Sequence, residues 1–370
     1  MDKKTLFAFL IIAVIILLTP AYYNILYPPV EPGDIDSLSV TTQEDIDVQT
    51  SYKIDSEKVV TQIVDQQIKE ETFSIETNLY SAVISSVNGG SIQSFILKNY
   101  LYLNNGGVQL ISDLNKQNLL LSFRSVEGEP VVLSGPWLSI NNRSAGYINS
   151  EHIFHFKKAV GNAWIYKSLT FYPDNYTINI ETDFTAAEPY ISQGIYNLSW
   201  SGGLPITEKN LSDDLTYFNA YVYQGGELHS PKLADKKVSK EDNIKGETAW
   251  VAIRTKYFVS SIIPDTPGFG GKTSGYENVE SGKVYSVALA LSVQQHKNSR
   301  LYLGPLEYSR IKSLDVDLES IMNFGWSFIR PIAKGVHYLL IKMNTYIPNY
   351  GVVLILFSII IKILVYPLTK

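Results

Sequence analysis

Trp164-Ile-Tyr-Lys-Ser-Leu-Thr-Phe171 is the stretch that sets the fold class. Its residues alternate in character, and Pro173-Asp-Asn175 follows it as a turn signal. Beyond that turn, Tyr176-Thr-Ile-Asn-Ile-Glu-Thr182 alternates again. A period of two sends successive side chains to opposite faces of a strand. Proline and asparagine supply the backbone conformations a turn needs.

The same texture spreads in both directions, from Thr72 to about residue 300. Phe73–Glu76, Ala82–Ile84, Ile92–Leu97 and Leu119–Phe123 read as strands before it, and further strands are expected around Trp250–Ile263 and Val284–Val293. Turn signals lie between them at Asn88-Gly-Gly90, Asn104-Asn-Gly-Gly107, Ser201-Gly-Gly203 and Gln224-Gly-Gly226. Asp235 to Lys245 is expected to be a charged loop. Many short strands, Gly-rich turns and little helical periodicity predict an antiparallel β-sandwich.

The chain ends have a different character. After Met1-Asp-Lys-Lys-Thr comes an unbroken apolar run, Leu6 to Leu18, extended past Thr19-Pro20 to Tyr27. A cleaved signal peptide competes with a retained anchor here. The lack of a small-x-small site, and Tyr22, Tyr23 and Tyr27 at the far end, favour an uncleaved anchor over 1–27. The leading lysines put its start on the cytoplasmic side and the following residues outside. Residues 28–70 are polar and acidic. Eleven acids against three lysines between Pro28 and Glu71 put −8 on that segment, although the whole chain carries only −5. So little apolar surface cannot offset the entropy of ordering, and a flexible linker is expected.

At the other end Ile321, Phe324, Phe328, Ile332, Val336, Leu339 and Met343 step by three or four, while Asn323, Ser327, Arg330, Lys334 and His337 fall opposite. This predicts an amphipathic helix over 317–346, interrupted or bent at Pro331, lying in the outer membrane interface. Packing on the β-domain is the competing reading. From Tyr350 to Tyr366 the chain is long and apolar enough to cross a bilayer, at roughly 1.5 Å per residue against a core of about 30 Å. Lys362 lies within it. A charge at that depth costs at least about 2.5 kcal/mol on insertion scales, so it needs a hydrated cavity, a partner or an escape route. Lys362 is four residues from Tyr366, about 6 Å of helix rise. Snorkelling to the headgroups therefore satisfies it as well as a groove does.

These pieces resemble the bacterial YidC membrane protein insertase family. The resemblance is carried by Ser86-Val-Asn-Gly-Gly-Ser-Ile-Gln-Ser-Phe-Ile-Leu-Lys-Asn-Tyr100, Thr170-Phe-Tyr-Pro-Asp174 and Gly203-Leu-Pro-Ile-Thr-Glu-Lys-Asn210. Further carriers are Trp250-Val-Ala-Ile-Arg-Thr-Lys-Tyr-Phe258, Leu303-Gly-Pro305 and, most specifically, Lys362 followed by Tyr366-Pro367-Leu368-Thr369 at the helix exit. It implies a periplasmic β-supersandwich over 71–316, an interfacial helix over 317–346, and over 347–370 the transmembrane helix that opens the insertase core. It also implies that Lys362 faces a hydrophilic groove receiving polar segments of substrate. Implied partners are nascent membrane proteins, the Sec translocon and the lipid bilayer, in the bacterial inner membrane with both chain ends cytoplasmic. The family's usual groove residue is arginine. Lysine keeps the charge and loses the planar fork that pairs bidentately with carboxylates. The family also continues past the position of Lys370 into further helices, so this sequence is expected to be the N-terminal portion of a longer protein.

Other functions find less support. No basic block with interleaved aromatics favours nucleic acid, and no phosphate-binding loop implies a nucleotide cofactor. Without cysteine, thiolate metal sites are excluded. A sugar-active enzyme would need an acid and a base converging on one cleft. His152 and His155 are three apart, on opposite faces of a strand, and His229 and His296 are expected in polar loops. A membrane-anchored binding or scaffold domain is the second reading.

Overall fold

The computed structural model describes residues 68–101, 106–231, 240–278, 282–322 and 330–369. The anchor expected over 1–27 and nearly all of the linker expected over 28–70 lie outside the described residues. The chain begins with β1 (Thr72–Glu76), β2 (Tyr80–Ser85), β3 (Ser91–Leu101), β4 (Gly107–Gln109) and β5 (Leu120–Ser125). Short pieces follow, β6 (Pro130–Val132), β7 (Leu138–Ser139) and β8 (Gly146–Tyr147). Then come β9 (His152–Val160), β10 (Ala163–Phe171), β11 (Thr177–Asp183), β12 (Ile191–Trp200), α1 (Leu211–Leu215), β13 (Asn219–Gln224) and β14 (Glu227–His229). The β-region closes with β15 (Lys240–Arg254), β16 (Phe258–Pro264), β17 (Gly268–Asn278), β18 (Gly282–Ser292) and β19 (Asn298–Pro305). Helices α2 (Tyr308–Lys312), α3 (Arg330–Tyr346) and α4 (Tyr350–Thr369) end it.

Two sheets result. The smaller has the order β4-β3-β2-β1-β8, and the larger runs β6-β5-β12-β18-β17-β15-β16-β19-β11-β10-β9-β7, with β13 and β14 branching from β15. Pairing is antiparallel except between β1 and β8. Strand β10 shows how the alternation works. Ile165, Lys167, Leu169 and Phe171 turn inward, while Trp164 and Tyr166 face out. The sheets share one core: Phe73 of β1 packs at 5.5 Å from Phe154 of β9, and Tyr80 of β2 lies 6.3 Å from Tyr176 at the start of β11. Truncating an aromatic side chain at such a joint costs about 3–5 kcal/mol, through lost transfer energy and the cavity left behind.

Between the sheets lies the turn Asn88-Gly89-Gly90. All three residues have positive φ, at 56°, 68° and 109°. A Cβ on Gly89 would sit 2.8 Å from the Trp137 ring, and one on Gly90 would sit 2.5 Å from Leu169. Glycine is therefore required there by conformation and by space. The turn is fastened by Lys167, whose side chain is fully buried. Its Nζ donates to the carbonyl oxygens of Asn88 at 3.0 Å and Leu119 at 2.6 Å. Burial pulls the Lys167 amine down to about 7. The two N–H bonds of a neutral amine match these two acceptors. On the neighbouring strand, Lys158 donates to Ser134 O at 2.7 Å, and burial lowers its pKa too.

Three expectations change. Lys240–Lys245, expected to be loop, is the first part of β15, paired with Gly270–Gly275 of β17. Its charge marks a solvent-facing side, while the main chain is satisfied by the ladder; the preceding residues 232–239 lie outside the described residues. The run Trp250–Ile263 is split between β15 and β16 by a turn at Thr255–Tyr257. Ile321, placed on the helical stripe by spacing, sits instead in a 3-10 turn, Leu318–Ile321, and is buried in the domain core. The helix is described over Arg330–Tyr346, which includes Pro331. Residues 323–329 of the expected stripe, including Phe324 and Phe328, lie outside the described residues.

Candidate functional site

Two features of the C-terminal region combine into a candidate site. The first is α4. Asn349 caps it, its Oδ1 accepting from the backbone N–H of Gly351 at 3.0 Å and Val352 at 3.3 Å. Val353 is buried, but Val352, Leu354, Ile355, Ile359, Ile360 and Ile363 are exposed around the helix. An apolar surface of that extent requires a cover. Ser358 turns its hydroxyl to Leu354 O at 2.8 Å, which satisfies it within the helix. Lys362 is exposed one turn beyond Ser358, and Tyr366 is exposed one turn beyond Lys362. The four-residue steps align Ser358, Lys362 and Tyr366 along one side of an otherwise apolar helix. The helix runs through Pro367 and Leu368 to Thr369, so the exit motif occupies its last turn, with the side chains after Tyr366 outside the described residues.

The second feature is the grip of the β-domain on the chain that leads to the helices. Trp250 Nε1 donates to Val316 O at 2.7 Å, and Arg254 Nη1 donates to Ile321 O at 2.5 Å. Both anchors come from one face of β15, where Trp250, Ala252 and Arg254 follow the period of two. Arg254 is almost completely buried and spends Nε on Thr255 O. Nearby, Asp214 is buried with its carboxylate facing the N–H groups of Thr207 and Lys256, and burial raises its pKa. Helix α2 adds a further tie. Glu307 accepts from the Tyr100 hydroxyl and pairs with Arg310 at 2.7 Å, and the Arg310 guanidinium lies over Tyr176 at 5.2 Å. Tyr308 meets His337 of α3 edge-on at 5.9 Å.

The histidines do not converge. His152 lies on the core side of β9 against Phe154, whereas His155 faces outward and meets Ser168 Oγ at 2.8 Å. His229 belongs to β14, opposite Val222. His296, expected in a polar loop, is buried: its Nδ1 faces the Ser292 N–H at 2.9 Å and its Nε2 faces Pro267 O at 3.0 Å. With these two contacts the ring holds a turn. Among the described residues no cluster of His, Asp and Glu suits a metal ion.

Residues 72–339 match the family described as the YidC periplasmic domain. The chain belongs to the YidC family. Among its relatives, the membrane protein insertase YidC of Chlorobaculum parvum is 31% identical over 321 residues, which covers 81% of this chain and 53% of the relative. The protein of the same name from Chloroherpeton thalassium is 30% identical over 400 residues, which covers 100% of this chain and 66% of the relative. The chain thus spans about half the length of the first of these. Among solved structures, a putative aldose 1-epimerase from Escherichia coli K12 aligns with a TM-score of 0.38 at 9% identity, covering 64% of this chain and 99% of that one. A GH36 alpha-galactosidase from Geobacillus stearothermophilus aligns at 0.33. Likenesses of this degree carry no argument about activity.

Several contacts of this YidC-family domain were not singled out from the sequence. Lys167 and Arg254 each occupy the inward phase of their strand, and a charge in that phase is the signal that marks them. Asp214 had no such signal, because one of its two backbone donors, Lys256, is distant in sequence.

Proposed function

We propose that the chain provides the periplasmic domain and the first core helix of an insertase that helps membrane proteins enter the bacterial inner membrane. The observation that carries this reading is the continuity of a YidC-type β-domain with a helix that exposes apolar residues all round and bears one lysine. Among the described residues no helix is long and apolar enough to cross a membrane. The crossing proposed for 347–370 rests on the sequence and on the apolar surface of α4. Residues 1–27 act as the second crossing, 28–70 as a tether and Arg330–Tyr346 as the approach along the outer interface, with both chain ends cytoplasmic. Nascent membrane proteins are the substrates, and the Sec translocon is a partner on the same reading.

In the mechanism Lys362 lines a hydrated groove and holds the polar or acidic part of a substrate while it moves through a thinned membrane. The substrate's apolar helix then partitions into lipid. The lysine lowers the cost of placing charge at that depth, and no bond is made or broken. The test is a chimera joining residues 1–370 to the remaining part of the Chlorobaculum parvum relative, expressed in cells depleted of their own insertase. Lys362→Arg is expected to restore growth and insertion, and Lys362→Ala to lose most of both. Equal rescue by Ala across several substrates would sink the charge mechanism, whereas failure of the chimera with Lys362 intact would favour the second reading, an anchored scaffold.

A further inference from the structure

The domain end beside the helices exposes a group of side chains that nothing described above uses. Tyr257, in the turn between β15 and β16, is 46% exposed, Tyr217 is 39% exposed, and Leu101 at the end of β3 is 68% exposed. Two of these rings share one lysine. The Lys256 ammonium stands 5.0 Å from the Tyr257 ring and 5.9 Å from the Tyr217 ring. Tyr100, which precedes Leu101, packs edge-on at 5.8 Å against Phe258, which follows Tyr257. The backbone beneath is fixed, with Leu306 N–H donating to Tyr257 O at 2.7 Å.

This end is also where the chain departs for the helices. Arg254, three residues before Tyr257, holds Ile321 O, and Tyr308 of α2 touches His337 of α3. The exposed rings are therefore next to the residues that lead into α3 and α4. Their chemistry is that of a membrane–water boundary: tyrosines with an apolar body and a polar tip, an aliphatic side chain, and a lysine whose stem lies along aromatic faces. Lys256 shares its charge with Asp213 at 2.5 Å, so the group is polar without being strongly basic. Such a surface suits zwitterionic as well as anionic headgroups. The opposite end of β16 leads to Phe269, itself 47% exposed, about 20 Å away along the strand at roughly 3.3 Å per residue.

The geometry points to a membrane-contact face on the β-domain. Tyr257, Tyr217 and Leu101 enter the headgroup layer of the outer leaflet, with Lys256 at its phosphates, so that the domain rests on the bilayer beside its own helices. This inference rests on the reading that α4 crosses the membrane. Its occupant is lipid.

The chain has no cysteine, so single labels can be introduced without removing any. Tyr257→Cys, Leu101→Cys, Phe269→Cys and Ile355→Cys would each be coupled to an environment-sensitive fluorophore. The labelled full chains would be reconstituted in protein-free vesicles of phosphatidylethanolamine and phosphatidylglycerol. Lipids carrying a nitroxide on the headgroup or on the acyl chain serve as quenchers. Labels at Tyr257 and Leu101 are expected to be quenched by headgroup nitroxide about twofold more than the label at Phe269, as for groups within about 5–10 Å of the headgroup boundary. The label at Ile355 is expected to respond to acyl-chain nitroxide. Quenching at Ile355 with none at Tyr257 or Leu101 overturns the contact face, leaves the crossing standing and assigns the surface to a protein partner. No quenching at any position overturns both.

Discussion

Lys167 and Lys362 are both lone lysines among apolar residues, and the molecule treats them in opposite ways. Lys167 is enclosed between two sheets, with its nitrogen fixed on two carbonyl oxygens and its pKa drawn down to about 7 by burial. Lys362 stands exposed on an apolar helix. A rigid interior can supply permanent acceptors and favour the neutral amine. An exposed helix face encloses no such pair of acceptors, so the side chain is left to its surroundings. The first arrangement serves architecture, and the second is available for a transient partner.

The contrast can be tested most severely at the turn that Lys167 fastens. Gly90→Val adds a branched side chain where even a Cβ meets Leu169 at 2.5 Å and φ is positive. A loss of about 3 kcal/mol or more is expected from strain and overpacking combined, read as a lower urea midpoint for the full chain. Lys167→Met comes next. It removes the amine but keeps most of the bulk, so the cost is that of two unsatisfied carbonyls less the relief of a buried ionisable group, about 1–3 kcal/mol in all. An unchanged midpoint would show that Lys167 does not fasten the turn.

The same variant has a pH signature. The unfolded amine titrates near the ordinary 10.5 and the folded one near 7. Between those values the unfolded chain holds a proton that the folded chain lacks, so stability rises with pH across that window and levels off below it. The native urea midpoint is expected to climb from pH 7 to pH 9.5 relative to Lys167→Met. A parallel pair of curves would mean that Lys167 stays charged when buried. The smallest effect belongs to the other lysine: Lys362→Met should move the urea midpoint of the β-domain by less than about 0.5 kcal/mol, as for an exposed residue away from any core. A larger loss would place Lys362 in the architecture.

Much of this was legible along the chain. Alternation located β10 and β11, and Asn88-Gly-Gly90 was readable as a turn because consecutive glycines permit positive φ. The turn's position inside the sandwich was not readable, since Trp137 and Leu169 reach it from distant parts of the sequence. Lys240–Lys245 misled because charge reports exposure of side chains and says nothing about pairing of the main chain. Ile321 misled because three- and four-residue spacing continues by chance from a buried 3-10 turn towards a helix. For the candidate site, Lys362 and its helix could be read directly, because local spacing decides which residues share a helix face. The anchors at Trp250 and Arg254 depend on tertiary contacts, and only their inward phase hinted at them.

Those two anchors bind main-chain oxygens, not side chains, and this has a mechanical consequence. The two hydrogen bonds themselves do not depend on which side chains residues 316 and 321 carry. Strand β15 in turn shares ladders with β13, β16 and β17. A tug on the chain from the helices would arrive at β15 and be divided among three neighbours, so that strands would have to shear together before any one of them peeled away.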